Sequence, residues 1–176
     1  MADRVRRSVT LIREADFLFP PLLLASSLLA IPVKDTVWWN STAGTVTEHR
    51  DDNGADCSLT FQNDAGNVVF RWDGSGAVSV TAIDWNWELP DDWRVPVAMR
   101  IGDTWLSNAG NSAVITGVGH GNTVSFPISQ SVEGLLRPAE RIEVQITGAT
   151  LSITLDHPKV GTLLDRVHMC RDVARR

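Results

Sequence analysis

Short runs in which apolar and polar residues alternate recur along much of the chain, as in strands that bury one face. In residues 78–82 the two valines and the alanine face one side, and the serine and threonine between them face the other. Turn-forming clusters such as NDAGN, DGSG and ELPDD separate these runs. The pattern predicts a mostly β fold, an antiparallel β-sandwich or barrel-like domain of about eight strands.

A helical period replaces this alternation near the carboxyl end. Asp156 followed by Pro158 is a typical helix start, and apolar residues then recur at the spacing of one helix face. These residues are Val160, Leu163, Leu164, Val167 and Cys170. The sequence therefore predicts a C-terminal α-helix whose apolar face packs on the sheet.

The two cysteines of the chain, Cys57 and Cys170, are both expected to point inward. Cys57 shares a strand face with Leu59 and Phe61, and Cys170 belongs to the apolar face of the helix. We predict a disulfide between them that fastens the helix to an early strand; two buried free thiols are the alternative. Because disulfides persist in oxidising compartments, the bridge and an exported location support each other.

The amino-terminal region has the pattern of a secretory signal. Residues 17–33 form a continuous apolar run. The arginines before it are Arg4, Arg6, Arg7 and Arg13. This order is typical of a signal peptide, and the small residues Ala25 and Ser27 fit a cleavage site after Ser27.

We interpret residues 1–30 as a signal peptide or a membrane-anchor segment, and residues 36–174 as a single β-rich domain. The anchor stays open because the run approaches the length of a membrane-spanning helix, and a buried or disordered terminal segment is a third possibility. The expected location is periplasmic or secreted. The alternative is tethering to the inner membrane, with membrane contact only through the uncleaved segment.

Composition and motifs exclude several function classes. A formal net charge of −5 argues against nucleic-acid binding, which needs a dense surface of Lys and Arg. The sequence has no G-x-S-x-G nucleophile elbow and no glycine-rich phosphate loop. The four histidines, at positions 49, 120, 157 and 168, lack the spacing of metal ligands, and residues 51–56 predict a hairpin turn and not a calcium loop. We expect no catalytic residue, no metal and no cofactor, and therefore a protein that is not an enzyme.

Tryptophan supplies the candidate recognition surface. The chain has seven Trp and no Tyr, and Trp is frequent at interface hot spots and amphipathic enough to hold polar ligands. Strand alternation places Trp85 and Trp87 on one face among carboxylates. The predicted surface comprises Asp84, Trp85, Trp87, Glu88, Asp91, Asp92 and Trp93. Packing of these tryptophans in the core is the alternative.

Four segments carry a likeness to a known family. They are CSL at residues 57–59, the stretch LPDDWRVPVAMRIGDTW, SFPIS followed by VEGLLRPAERIEV, and the closing SITLDHPKVGTLLDRV. Their order from Cys57 onward resembles the invasion-associated locus B family of exported bacterial proteins, although GVGHGN stands where that family has a close cysteine pair.

The resemblance implies a small periplasmic or surface-exposed β-rich domain, associated in some bacteria with entry into host cells, and it supplies no catalytic residue. It favours a function by protein binding, with an unknown protein or envelope component as partner. The competing hypothesis is a carbohydrate-binding or carbohydrate-active domain that uses the Trp-rich acidic face.

Overall fold

A computed structural model describes residues 34–89, 96–108, 113–115, 122–128, 131–146 and 148–176. The predicted signal peptide or anchor, residues 1–30, lies outside the described residues. The strands of the described part are β1 (Lys34–Ser41), β2 (Gly44–Asp51), β3 (Gly54–Gln62), β4 (Gly66–Trp72), β5 (Val78–Asp84), β6 (Val97–Ile101), β7 (Thr104–Asn108), β8 (Ala113–Ile115), β9 (Thr123–Ile128), β10 (Arg141–Ile146) and β11 (Ala149–Thr154). The helices are α1 (Glu133–Leu136) and α2 (His157–Ala174).

The strands form two antiparallel sheets. The first has seven strands in the order β1-β2-β3-β4-β5-β9-β8, and the second has four in the order β11-β10-β6-β7. In the described part of the chain neither sheet closes on itself, so the architecture is the predicted sandwich and not the barrel. The prediction of a mostly β fold with a C-terminal helix is confirmed.

One hydrophobic core lies between the two sheets and beneath α2. The buried residues of β4 and β5 alternate strictly with half-buried or exposed ones along each strand, which is the pattern that the alternation in the sequence predicts. Trp72 at the end of β4 is fully buried, and its ring centroid lies 6.2 Å from that of Phe70.

Helix α2 covers β2 and β3 on the core side of the first sheet. All five residues of the predicted apolar face are buried, and each Val or Leu contributes about 1.5 to 3 kcal/mol by leaving water, before the entropy of ordering is subtracted. The helix starts after Asp156 with Pro158 in its first turn, as predicted. The Asp156 side chain makes no capping hydrogen bond but lies 2.6 Å from Nζ of Lys159.

The disulfide between Cys57 and Cys170 is confirmed. The two Cα atoms are 6.1 Å apart and 113 positions separate the residues in sequence, and both side chains are buried. The bridge joins the middle of β3 to the penultimate turn of α2. The helix is therefore fixed to the sheet by a covalent bond as well as by its apolar face.

Candidate functional site

Trp85 and Trp87 do not share an exposed face, so that part of the predicted surface is wrong. Strand β5 ends at Asp84, and a turn follows in which the backbone N–H of Trp87 donates to the carbonyl oxygen of Asp84 at 3.1 Å. Strand alternation therefore stops before the tryptophans. Trp85 is 55% exposed, whereas Trp87 is 5% exposed and belongs to the core.

The acidic members of the predicted surface are dispersed as well. Asp84 is buried, and its Oδ1 accepts a hydrogen bond from the backbone N–H of Asn86 at 2.8 Å, which stabilises the turn. Glu88 is exposed. The remaining members, Asp91, Asp92 and Trp93, lie outside the described residues.

A β-bulge in β1 brings a different pair of tryptophans together. The cross-strand pairing passes from Val37 directly to Trp39, so Trp38 has no opposite residue in β2. Trp39 lies opposite Val46, which is buried. Trp38 Nε1 donates to Oε2 of Glu48 at 3.0 Å, and Glu48 is two positions beyond Val46 on the same face. The extra residue of the bulge thus turns both ring systems toward the side of the sheet that α2 covers.

Trp39 meets the exposed flank of α2. The guanidinium carbon of Arg166 lies 4.7 Å from the ring centroid of Trp39, a cation–π contact, and Arg166 Nη1 is 3.7 Å from Sδ of Met169. Met169 and Val173 are exposed on the same flank of the helix, and Trp39 is 38% exposed. We call Trp39, Arg166, Met169 and Val173 the β1–α2 surface.

Glu48 holds the residue next to Trp39, the bulged Trp38, by a hydrogen bond. Its Oε1 accepts hydrogen bonds from Nε and Nη2 of Arg50, at 3.0 and 2.7 Å, and its Oε2 accepts one from Trp38. Burial raises the pKa of the Glu48 carboxyl, but the hydrogen bonds from Arg50 and Trp38 and the charges of Arg50 and Lys34 together lower the pKa by more. The carboxyl group is therefore held ionised beside the tryptophan pair.

The lowered pKa of Glu48 predicts a dependence of stability on pH. A carboxyl whose pKa is lower in the folded than in the unfolded chain stabilises the fold above its unfolded pKa, and that stabilisation disappears as the pH falls through the folded pKa. We expect the protein to lose more free energy of unfolding between about pH 5 and pH 3 than its Glu48→Gln variant, in which this position does not titrate. Urea unfolding of both proteins across that range measures the difference, and parallel pH curves would contradict it.

A polar relay lies on the opposite face of the first sheet. His49 Nδ1 is 2.8 Å from Oδ1 of Asp35, and His49 Nε2 is 2.9 Å from Oγ of Ser58. A neutral imidazole that donates from Nδ1 to Asp35 accepts a hydrogen bond at Nε2 from the hydroxyl group of Ser58. The three residues come from β1, β2 and β3, so the relay links the edge strand β1 to its neighbour β2 and to β3 beyond it.

The relay has the residue types of a hydrolase triad but lacks the rest of an acyl-transfer site. Ser58 is 2% exposed, and it lies in the middle of β3 with β2 paired on one side and β4 on the other. The backbone N–H groups around it belong to these ladders, whereas an oxyanion site needs donors aimed at the reacting atom. The geometry therefore supports a structural role for the relay, which the sequence did not reveal because the three residues meet only through strand register.

The acidic side chains and the helices bear on metal binding and on membrane spanning. Within the described ranges no group of three or more His, Cys, Asp or Glu side chains is placed to hold a metal ion. The acidic segment 51–56 forms the predicted hairpin turn, in which Asp51 Oδ1 accepts the backbone N–H of Asn53 at 2.7 Å. None of the helices in the described part of the chain has the length and apolar character needed to cross a bilayer.

Comparison of the chain with protein-family models gave no match. Comparisons with curated proteins and with solved structures gave none either. The resemblance to the invasion-associated locus B family stays a prediction that rests on segment order.

Proposed function

We propose that the protein is an exported, non-enzymatic domain that acts by binding another protein, of the cell envelope or of a host, through the β1–α2 surface. The observation that carries the proposal is the exposed cluster of Trp39, Arg166, Met169 and Val173. Aromatic residues, Met and Arg are the types enriched at protein interfaces, and exposed apolar clusters on a folded domain are typical of interaction sites.

The surface is rigid before any partner arrives. The Cys57–Cys170 disulfide fixes α2 to the sheet one position after Met169, and the relay through His49 links β1 to β2 and β3. Trp39 is further oriented by the Arg166 guanidinium over its ring. A surface that loses little conformational freedom on binding keeps more of its contact energy as affinity.

Two observations support export. The buried disulfide fits a protein of an oxidising compartment outside the cytoplasm, and the sequence of residues 1–30 predicts a signal peptide or an anchor. We propose a periplasmic or secreted location, with tethering to the inner membrane as the alternative. Both locations leave the β1–α2 surface accessible to an envelope protein, because the surface belongs to residues 39–173.

Site-specific photo-crosslinking tests the proposal in an exporting host. A photoreactive residue at position 169 is expected to give one discrete adduct that is heavier than the protein by the mass of the partner. Trp39→Ala is expected to weaken capture of this partner by about 30-fold, the effect of removing a hot-spot side chain. Trp85→Ala is the matched control, since Trp85 is equally a large exposed ring but lies outside the surface.

Three outcomes would contradict this proposal. Adducts that form equally well from position 85 would indicate unspecific contact. If Trp39→Ala left adduct formation from position 169 unchanged, the interface would not include Trp39. An adduct with twice the mass of the protein would identify a second copy of this chain as the partner.

A further inference from the structure

The outer face of the second sheet carries a row of polar and aromatic side chains, one from each of its four strands. Cross-strand pairs join Ser152 of β11 to Glu143 of β10, Glu143 to Arg100 of β6, and Arg100 to Trp105 of β7. Trp105 is 48% exposed at the end of this row. The row belongs to the other sheet from the β1–α2 surface and shares no residue with it.

Arg100 organises the row. Its guanidinium carbon lies 5.7 Å from the ring centroid of Trp105, its Nη2 is 3.1 Å from Oδ1 of Asp103, and its Nη1 is 3.6 Å from Oε2 of Glu143. The other Glu143 oxygen, Oε1, is 3.3 Å from Nε of Arg141. A tryptophan ring is thus held beside two carboxylates whose positions are set by arginines.

A cleft of about 550 Å³ opens beside the turn between β6 and β7, and Arg100 contacts one of its walls through the ion pair with Asp103. Its walls are Gly102, Asp103, Pro138, Glu140, Arg141 and Thr154. Asp103 belongs both to the cleft and to the Arg100 cluster, and Arg141 joins the cleft to Glu143. Asp103 and Arg100 therefore link the cleft to the ring of Trp105, and we call the cleft with these residues the Trp105 site.

The chemistry of the Trp105 site selects one class of ligand. Apolar ligands need walls of aliphatic and aromatic side chains, whereas these walls are mostly carboxylate, guanidinium and hydroxyl groups. A phosphate would need unpaired cations, but Arg100 and Arg141 are already engaged by Asp103 and Glu143. A sugar fits both features, because its C–H face packs on an aromatic ring while its hydroxyls donate to carboxylates and accept from guanidinium groups.

We propose that the Trp105 site binds a short neutral oligosaccharide, with one ring against Trp105 and its hydroxyls on Asp103, Glu143 and Arg141. Both oxygens of Glu143 face an arginine, so the site is arranged for recognition and not for proton transfer to a glycosidic oxygen. The cleft volume of about 550 Å³ lies within the range of small-ligand sites.

Titration of the exported protein with chitotriose, cellotriose and maltotriose tests this proposal, with saturation-transfer NMR and tryptophan fluorescence as readouts. At least one of these trisaccharides is expected to bind, and Trp105→Ala is expected to weaken that binding by about tenfold or more. Glu143→Gln, which removes the charge but keeps the size, is expected to weaken it as well. Trp85→Ala and Trp39→Ala are the controls and are expected to leave affinity unchanged.

The proposal is overturned if none of the three trisaccharides binds, or if binding survives Trp105→Ala without change. Binding that is lost with Trp39→Ala instead would place the sugar on the β1–α2 surface and would also overturn it. Thermal unfolding of each variant separates these results from misfolding, because Trp105 is half exposed and its truncation is expected to leave the melting temperature nearly constant.

Discussion

Replacement of Cys57 and Cys170 together by alanine is expected to lower the free energy of unfolding by about 4 to 5 kcal/mol, the value for a cross-link that closes a loop of more than 100 residues. The bridge spans 113 positions, so its loss returns a large conformational freedom to the unfolded chain. Urea unfolding of the oxidised protein and of the double variant measures the change. A difference below about 1 kcal/mol would show that the unfolded chain is compact even without the bridge.

In the same double variant, α2 is expected to open more readily than the strands of the first sheet. Without the bridge α2 is held by its apolar face and by surface contacts such as Arg166 on Trp39 and the Arg171–Glu133 ion pair, while the strands of the first sheet keep their hydrogen-bonded ladders. We expect the backbone amides of α2 to exchange with deuterium faster than those of β3, β4 and β5. If deuterium exchange became faster to the same extent in the helix and in the sheet, the two would unfold as one unit.

Trp87→Ala is expected to be among the most destabilising single substitutions, at about 3 to 5 kcal/mol, because it leaves a cavity in the core. Trp85→Ala, only two positions away, is expected to change stability by no more than about 0.5 kcal/mol, since that ring faces solvent. Thermal unfolding of the two variants side by side measures the contrast. The reverse order would place Trp85 in the core and reopen Trp87 as a surface residue.

Much of the fold follows from periodicity in the sequence. Strands β4, β5, β6 and β10 bury one face completely, so their apolar residues alternate, and α2 shows the 3.6-residue period of a helix that packs on one side. The disulfide could be predicted because each cysteine lies on the apolar face of such an element. These features are local consequences of burial, and they require no knowledge of strand order.

The strands that the sequence did not reveal differ in a physical respect. Strand β1 is an edge strand with most residues exposed, and its bulge at Trp38 breaks the alternation that would mark it. Strand β2 ends in the charged segment EHRD, and β7 begins with two exposed residues, Thr104 and Trp105. Where burial is incomplete, the hydrophobic pattern weakens and the strand becomes indistinguishable from a loop.

The residues of the candidate sites are brought together by the register of strand pairing and not by their spacing along the sequence. Trp39 and Arg166 are far apart in sequence, and only the bulge in β1 together with the position of α2 brings them together. Trp105 and Glu143 likewise meet through the pairing of β6 with β7 and β10. The predicted surface around Trp85 and Trp87 was wrong in its strand assignment because alternation was extended past Asp84, where β5 ends.

The position of the bridge in the chain also sets the order of events during synthesis. Cys57 leaves the ribosome 113 residues before Cys170, which at about 5 to 20 residues per second is a delay of roughly 6 to 23 seconds. Throughout that interval β3 is complete but its cysteine has no partner, so a mixed disulfide formed at Cys57 persists until α2 has been made. The helix is therefore locked onto the sheet only after Cys170 has been synthesised, and a chain truncated before Cys170 exposes both an unpaired thiol and the uncovered apolar faces of β2 and β3.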